Sequence, residues 1–408
     1  MKDSGIEWIG NIPIGWEVKK LKFISEIKTG DKDTVNSEEY GQYPFFVRSQ
    51  TVEKISSYTY DGEAILTAGD GDIGKIVHYV NGKFDFHQRV YCIKKIKING
   101  KFLYYFFQEN FIKEAKRNNA KSTVDSIRMP VLRNFPVLNP PNLIQAAIAD
   151  YLDTKCGIIE SLIEKQKTVI EKLKSYKQSL ITEAVTKGLD PTVKMKSSGI
   201  EWIGDIPEGW EVRRLKNIGE AIIGLTYSPT EVSDNGTLVL RSSNIQNGKI
   251  VLDDNVYVKK KIQDKLIIKI EDILICSRNG SKELVGKCAY IDNTLRNEYS
   301  FGAFMTVFRS MYNNFLYHVL NSAIFSFHLN TFSTSTINQL TTRNLNGIQV
   351  PLPPLSEQKR IVDFLNTKCT ETANAINGKQ KLIERLTDYK KSLIYECVTG
   401  KKEVLINE

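Results

Sequence analysis

Residues 4–24 read SGIEWIGNIPIGWEVKKLKFI, and residues 198–218 read SGIEWIGDIPEGWEVRRLKNI. Sixteen of these 21 positions are identical, at a constant offset of 194. A second repeat covers residues 148–188 and returns at 361–401, offset 213, without a gap. Each half of the 408-residue chain therefore has the same plan: a short repeat, a variable block and a helical repeat. A tandem of this kind folds as a pseudo-two-fold object with two similar but non-identical working ends.

Outward from the repeat, the first variable block spans residues 25–141. Its runs at 43–47, 64–67, 76–80 and 90–93 alternate or carry aromatic side chains, which predicts strands. Asp61-Gly62 and Asn81-Gly82 read as hairpin turns, and residues 102–116 have helical spacing of apolar side chains. The second block, 219–354, is 19 residues longer. It predicts strands at 238–240, 273–276 and 305–308, then a helix over 312–329. The blocks share landmarks. Val47-Arg48-Ser49-Gln50 aligns with Leu240-Arg241-Ser242-Ser243, and Ile65-Leu66…Gly74-Lys75 with Ile273-Leu274…Gly286-Lys287. Lys121-Ser122-Thr123 resembles Thr334-Ser335-Thr336, and Arg133-Asn134 resembles Arg343-Asn344. One fold with diverged surface residues is what two related readers of different targets need.

Each block ends in a proline-rich turn, Asn139-Pro140-Pro141 or Pro351-Leu352-Pro353-Pro354, and a helix follows. Asn142 and Ser356 are the expected N-caps. The helices are expected to run to about Thr186 and Thr399, with Gly188 and Pro191 as stop signals in the first copy and Gly157 placed to break it. Ile159, Leu162, Gln166, Val169, Leu173, Tyr176 and Leu180 fall on a 3–4 spacing. The matching lane holds Ala375, Leu382, Leu386, Tyr389 and Leu393. Ile163, Ile170, Ile376 and Ile383 widen the stripe; Gln166, Thr372 and Lys379 interrupt it. Helices so apolar on one side need a partner. Each one's own repeat is the nearest candidate, and separate packing on the two blocks is the alternative.

A hydrophobic fraction of 41% and a charged fraction of 25% fit an ordinary soluble protein. No stretch approaches the roughly 20 apolar residues of a bilayer span, and residues 1–5 are polar, so neither membrane nor secretory leader is expected. The six cysteines have no C-x-x-C spacing; Cys156 and Cys369 are repeat equivalents on helices, so buried thiols in a reducing cytoplasm are expected. The net charge of +9 invites a nucleic-acid partner without requiring one.

Fragments that imitate catalytic motifs fail on detail. Residues 69–75, GDGDIGK, fit G-x-x-x-x-G-K, but Ile76 stands where a phosphate loop needs Ser or Thr, and Asp70 and Asp72 would repel phosphate. Asn139-Pro140-Pro141-Asn142 lacks the aromatic ring with which an amino-methyltransferase stacks a flipped base. The four histidines have no ligand spacing, so no metal is expected, and no nucleophile elbow occurs. The four tryptophans, Trp8, Trp16, Trp202 and Trp210, all lie in the short repeat. Base stacking is open to them, but their identity in both copies favours shared packing or a shared protein surface.

The candidate reading surfaces are loops rich in Arg, Asn, Gln and Ser. Arg pairs bidentately with guanine and Asn or Gln with adenine. In the first block these are Arg48, Ser49 and Gln50; Asp70, Asp72 and Lys75; His87, Gln88 and Arg89; and Lys121, Ser122 and Thr123. In the second they are Arg241, Ser242 and Asn244; Arg278, Asn279, Ser281, Lys282 and Lys287; and Ser335, Thr336 and Asn338. Each loop alone is equally consistent with a solvated turn.

The arrangement resembles the DNA-specificity subunit of type I restriction–modification systems. The resemblance is carried by Trp8-Ile9-Gly10-x-Ile12-Pro13-x-Gly15-Trp16 and its copy at 202–210, by residues 351–358, PLPPLSEQ, and by the helix ends Ser179-Leu180-Ile181 and Ser392-Leu393-Ile394. It covers essentially the whole chain; residues 139–145, NPPNLIQ, are a degraded form of the proline-rich signature. It implies an α+β fold of two similar α/β target-recognition domains, residues 1–141 and 198–354, joined by helical spacers at 142–197 and 355–408 that pair as an antiparallel coiled coil. It implies that each domain reads half of a split site in double-stranded DNA. It further implies two modification subunits that hold S-adenosylmethionine, restriction subunits that use ATP and Mg, and no catalysis or cofactor in this chain. The rival classes are a self-contained DNA methyltransferase or nuclease, and a coiled-coil scaffold without a DNA role.

Overall fold

A computed structural model describes residues 1–71, 73–117, 126–293, 298–332 and 338–404. The chain divides into two compact units. One is Met1–Lys167 with Lys379–Glu408; the other is Thr168–Gly378. Each unit takes one variable block and a segment of both long helices, Asn142–Lys187 and Leu355–Val398.

In the first unit a six-stranded sheet runs in the order Glu26–Thr29, Val90–Lys94, Tyr60–Ala68, Val77–Phe86, Tyr43–Phe46, Glu53–Ile55. All neighbours are antiparallel except Tyr43–Phe46, which lies parallel to Val77–Phe86. Alternation decides the faces. Ile65 and Ile93 join the helix Gly100–Arg117 through its Phe102, Phe106, Phe107 and Phe111, while Ala64, Leu66 and Cys92 pack with Phe46 and Phe84. Asp61-Gly62 and Asn81-Gly82 are not turns. Both glycines lie inside long strands, directly paired with each other, at φ of 140° and 130°. The strands on either side simply continue through them.

The short repeat closes this unit. Its strand Glu17–Lys20 pairs antiparallel with Pro136–Asn139, the strand that leads into the first long helix. Trp16 joins a core that contains Ile148, Leu152, Cys156 and Ile159 of the first helix and Leu393, Ile394, Cys397 and Val398 of the second. Glu160 meets Lys390 at 2.5 Å, and Tyr151, nine residues earlier, lies under Lys402. The two segments are therefore antiparallel.

The second unit repeats this scheme with a broken sheet. Glu220–Ile223, Met305–Arg309, Ile273–Cys276 and Cys288–Tyr290 form one sheet; Val232–Ser233, Tyr257–Val258, Thr237–Leu240 and Tyr299–Phe301 form another. Thr237–Leu240 lies parallel to Tyr299–Phe301, as Tyr43–Phe46 lies parallel to Val77–Phe86 in the first unit. The single long strand of the first unit is thus divided here between Cys288–Tyr290 and Tyr299–Phe301. The helix predicted over 312–329 is two helices, Asn313–Val319 and Ala323–Phe332. Between them Asn321 and Ser322 turn their side chains back to the carbonyls of Tyr317 and Val319, at 2.7 and 2.6 Å, a local alternative to continuing the helix. The short repeat again closes the unit: Glu211–Arg214 pairs with Gln349–Leu352, and Trp210 shares a core with Ile181, Ala184, Val185, Ile361, Val362 and Leu365.

The helix ends correct several expectations. Asn142 is already helical, and Ser356 is the second residue of its helix, so neither is a cap. Instead, the amides of Gln145 and Gln358 donate to the carbonyls of Pro141 and Pro354, at 3.0 and 2.9 Å. The side chains of the same two glutamines, both buried, donate back to Pro140 and Pro353, each at 2.7 Å. Gly157 does not break the first helix; nothing lies within 4 Å of where its Cβ would stand. At the other end Gly188 and Gly400 adopt φ of 76° and 69°, the left-handed geometry of a helix stop. A Cβ on Gly188 would meet Trp210 at 3.3 Å, and one on Gly400 would meet Trp16 at 3.0 Å. Gly188 therefore corresponds to Gly400 rather than to Lys401, and the 213 offset slips by one in the last turn.

The stripe also lies differently from its expected lane. Leu393 is buried, and Val169, Leu173, Leu180 and Leu386 are half-buried, but Leu162, Tyr176, Leu382 and Tyr389 are exposed. Cys156, Ile159, Ile170 and Ile181 carry the first helix's buried line, with Ile361, Leu365, Ile394 and Cys397 on the second. Five cysteines are buried and Cys369 is half-buried; all six are free thiols.

Candidate nucleic-acid interface

The loops that leave the parallel strand pair have the same backbone frame in both units. In the first, His87 N donates to Phe46 O at 3.0 Å, Gly69 N to Arg89 O at 2.8 Å and Ile127 N to Gly69 O at 2.8 Å. In the second, Gly302 N donates to Leu240 O at 3.0 Å, Ser277 N to Phe304 O at 2.9 Å and Leu340 N to Ser277 O at 2.7 Å. These bonds equate Val47 with Arg241 and Arg48 with Ser242, one residue out of step with the alignment read from the sequence, and they equate Asp70 with Arg278, His87 with Gly302 and Arg89 with Phe304. Gly74 and Gly286 are equivalent for a packing reason. Each has positive φ, and a Cβ there would lie 2.7 Å from Ile112 or 2.2 Å from Leu329. The Gly-Lys step imitates a phosphate loop because the strand's exit passes close against a helix.

On the first frame, Asp70 holds two arginines. Arg48 Nη1 donates to one carboxylate oxygen and Arg89 Nη1 to the other, both at 2.9 Å. Asp70 is the least exposed of the three, at 23% against 41% and 61% for the arginine side chains. Burial pushes its carboxyl up, but the two arginine hydrogen bonds outweigh this and hold it below the usual carboxylate range. His87 sits beneath, 2% exposed; its Nδ1 accepts from the Arg89 amide at 2.9 Å. Burial lowers its pKa, with the nearby Asp33 pulling the other way, so the ring is a fixed neutral support. Gln88 is exposed, and its amide donates to Asp33 at 2.6 Å. Gln50 donates to the Lys75 carbonyl at 2.5 Å; the Ser49 hydroxyl accepts from the Thr51 amide at 3.0 Å; Lys75 itself is exposed.

On the second frame, Arg278 is exposed and lies over the Phe304 ring, 5.1 Å from its centroid. Asn279 donates to the Ser242 hydroxyl at 3.1 Å, and Asn338 to the Gly280 carbonyl at 3.0 Å, so three of the expected residues meet around one loop. Ser281 and Lys282 are exposed and Lys287 is half-buried. Arg241 is paired with Asp254 at 2.7 Å. Asn244 is fully buried: its oxygen accepts from the Arg241 amide and its nitrogen donates to the carbonyls of Val251 and Asp254. It shapes the loop from inside. Asp72, Lys121, Ser122, Thr123, Ser335 and Thr336 lie outside the described residues. Phe304, Asp254 and Asp33 were missed from sequence, because nothing local marks a side chain whose partner is many residues away.

The tryptophans pack rather than present themselves. Trp16 and Trp210 are buried at the helix ends; Trp8 stacks on Phe135 and donates to Glu114 at 2.9 Å, and Trp202 stacks on Phe327. Among the described residues no group of three His, Cys, Asp or Glu side chains is placed to hold a metal. No helix among them is long and apolar enough to cross a membrane.

The chain matches the family described as type I restriction modification DNA specificity domain twice, over residues 13–172 and 207–385. It is 26% identical over 384 residues to the type I restriction enzyme EcoDI specificity subunit of Escherichia coli, covering 86% of this chain and 81% of that protein. It is 28% identical over 417 residues to the MjaVIII specificity subunit of Methanocaldococcus jannaschii, covering 96% and 94%. A chain from the solved structure "Structural basis underlying complex assembly and conformational transition of the type I R-M system" superposes with a TM-score of 0.72 at 14% identity, covering 96% of this chain and all of that one. The doubled loop frame, the repeated long helices and two matches to one specificity domain agree: this chain belongs to the DNA-specificity subunits of type I restriction–modification systems.

Proposed function

We propose that the two heads divide DNA target recognition between them: residues 1–141 read one half of a split duplex site and residues 198–354 read the other. The observation that carries this is the frame shared by the two loop clusters, on which Asp70 stands in one head where Arg278 stands in the other. A common scaffold with opposite charge at one position suits two readers of different base sequences. Lysines and arginines around the loops supply affinity for phosphate, which falls with salt, and the loop tips supply base choice. The chain carries out no chemistry. Two modification subunits, with S-adenosylmethionine, methylate the DNA; restriction subunits, with ATP and Mg, cleave it; the assembly works in the cytoplasm. The helical segments at 142–197 and 355–408 dock the modification subunits and set the number of base pairs between the half-sites.

The test is selection of duplexes from a randomised pool by the full chain bound to its modification subunits. The expected product is a bipartite motif, two short specified tracts separated by unspecified base pairs. One contiguous tract, or no enrichment, would overturn the proposal.

A further inference from the structure

The three side chains on the first head form a unit whose design goes beyond a general affinity for DNA. Asp70 takes one Nη of Arg48 and one Nη of Arg89, each at 2.9 Å. A guanidinium is planar and carries five donors in a rigid fork. Anchored through one nitrogen, each arginine keeps further donors on its opposite edge, and both side chains are substantially exposed. The anchor is itself fixed. The Gly69 amide before Asp70 bonds the Arg89 carbonyl, and buried His87 accepts from the Arg89 amide. Asp70 and the backbone of Arg89 therefore cannot move independently.

The second head has no such unit on the equivalent frame. Its Arg278 rests on Phe304, and its Arg241 turns to Asp254, an acid from a different part of the chain. The two heads thus hold their arginines differently: one carboxylate shared by two arginines in the first, an aromatic platform for Arg278 and a separate carboxylate for Arg241 in the second.

We propose that Asp70 is a positioning residue that presents Arg48 and Arg89 as a paired fork, and that the half-site read by the first head contains guanine at the positions these arginines reach. Guanine is the base whose major-groove edge offers two adjacent acceptors, N7 and O6, to one guanidinium. Without its carboxylate anchor each arginine still attracts phosphate but samples many rotamers, so base choice is lost before affinity. The inference rests on the reading of the heads as separate target readers, and it deepens that reading.

The full chain, bound to its modification subunits, would select duplexes from a pool randomised across both half-sites. Wild type, Asp70→Asn, Arg89→Lys and Arg278→Ala would be compared. The wild-type motif should contain guanine in the half-site that Arg278→Ala leaves untouched. Asp70→Asn keeps the shape of the side chain and should lower the guanine preference there by about tenfold or more, with the other half-site unchanged. Arg89→Lys keeps the charge but not the fork; it should weaken the same guanine while the salt dependence of binding stays as in wild type. Should Asp70→Asn fail to fold, Arg89→Lys and Arg48→Lys carry the same comparison. A first half-site without guanine, or Asp70→Asn and the lysine variants with wild-type base preference, would overturn the inference while a bipartite motif still stands. A wild-type pool without any bipartite motif would overturn the two-reader proposal, and this one with it.

Discussion

His318 shows how much of a residue's behaviour is set by where the fold puts it. Burial pushes its imidazole pKa down from 6.5 to about 4, against a hydrogen bond with Asn366 that favours the charged form. The unfolded chain therefore binds one more proton than the folded unit between those values. Stability rises with pH wherever the unfolded state holds more protons. The contribution of His318 is complete above about pH 6.5 and is lost as pH falls towards 4, with a slope of up to about 1.4 kcal/mol per pH unit. Denaturant unfolding of the full chain across this range should show a steeper acid loss in wild type than in His318→Asn; identical slopes would contradict it. None of this was legible in the sequence, where His318 was one of four scattered histidines. The surface placement of the candidate reading residues was legible in part. Arg48, Arg89 and Arg278 do end up exposed beside strand exits. Asp70 was found as a member of a loop, but not as the anchor of two arginines 19 and 22 residues away. His87 and Asn244 have the right chemistry for base contacts, yet the fold places both inside as supports.

At the scale of elements, the short repeat acts as a lid on a helix end. Trp210, 1% exposed, covers Gly188 and donates its indole N–H to Glu357 at 2.9 Å, tying the stop of one long helix to the first turn of the other within the second unit. Trp202, 38% exposed, stacks on Phe327 at the edge of the same unit. Trp210→Ala should therefore destabilise the second unit by about 3–5 kcal/mol, the usual range for a buried aromatic removed to leave a cavity, and Trp202→Ala by clearly less. Urea unfolding of the two variants tests this; equal losses would mean the lid is not what the packing implies. The existence and extent of the long helices could be read from period and punctuation alone. Their contact line could not. Apolar side chains occupy neighbouring lanes, and only the packed structure selects Cys156, Ile159 and Ile181 over Leu162 and Tyr176. The hairpin turns failed for a related reason: Asp-Gly and Asn-Gly signal a turn only where the chain must reverse, and here both strands run on.

For the whole molecule, the duplication is the feature from which the rest follows. The repeats that match in sequence build the helix segments and their lids, while the blocks that diverged build the loop clusters. The backbone bonds around Gly69 and Ser277 are nearly the same, whereas the side chains they carry are not. That division was visible in the sequence, because identity and divergence along the chain mark which parts do a common job. It could not reveal that each compact unit draws on both ends of the helical repeats, since residues 379–408 join the first unit from the far end of the chain. The central claim is that each head reads its own half-site independently. Exchanging residues 25–140 for the corresponding block of a specificity subunit with a different target, and mapping the methylated sites of the resulting complex, tests it most directly. One half of the recognised site should change to that of the donor while the other half stays as it was. A change in both halves, or in neither, would contradict the account.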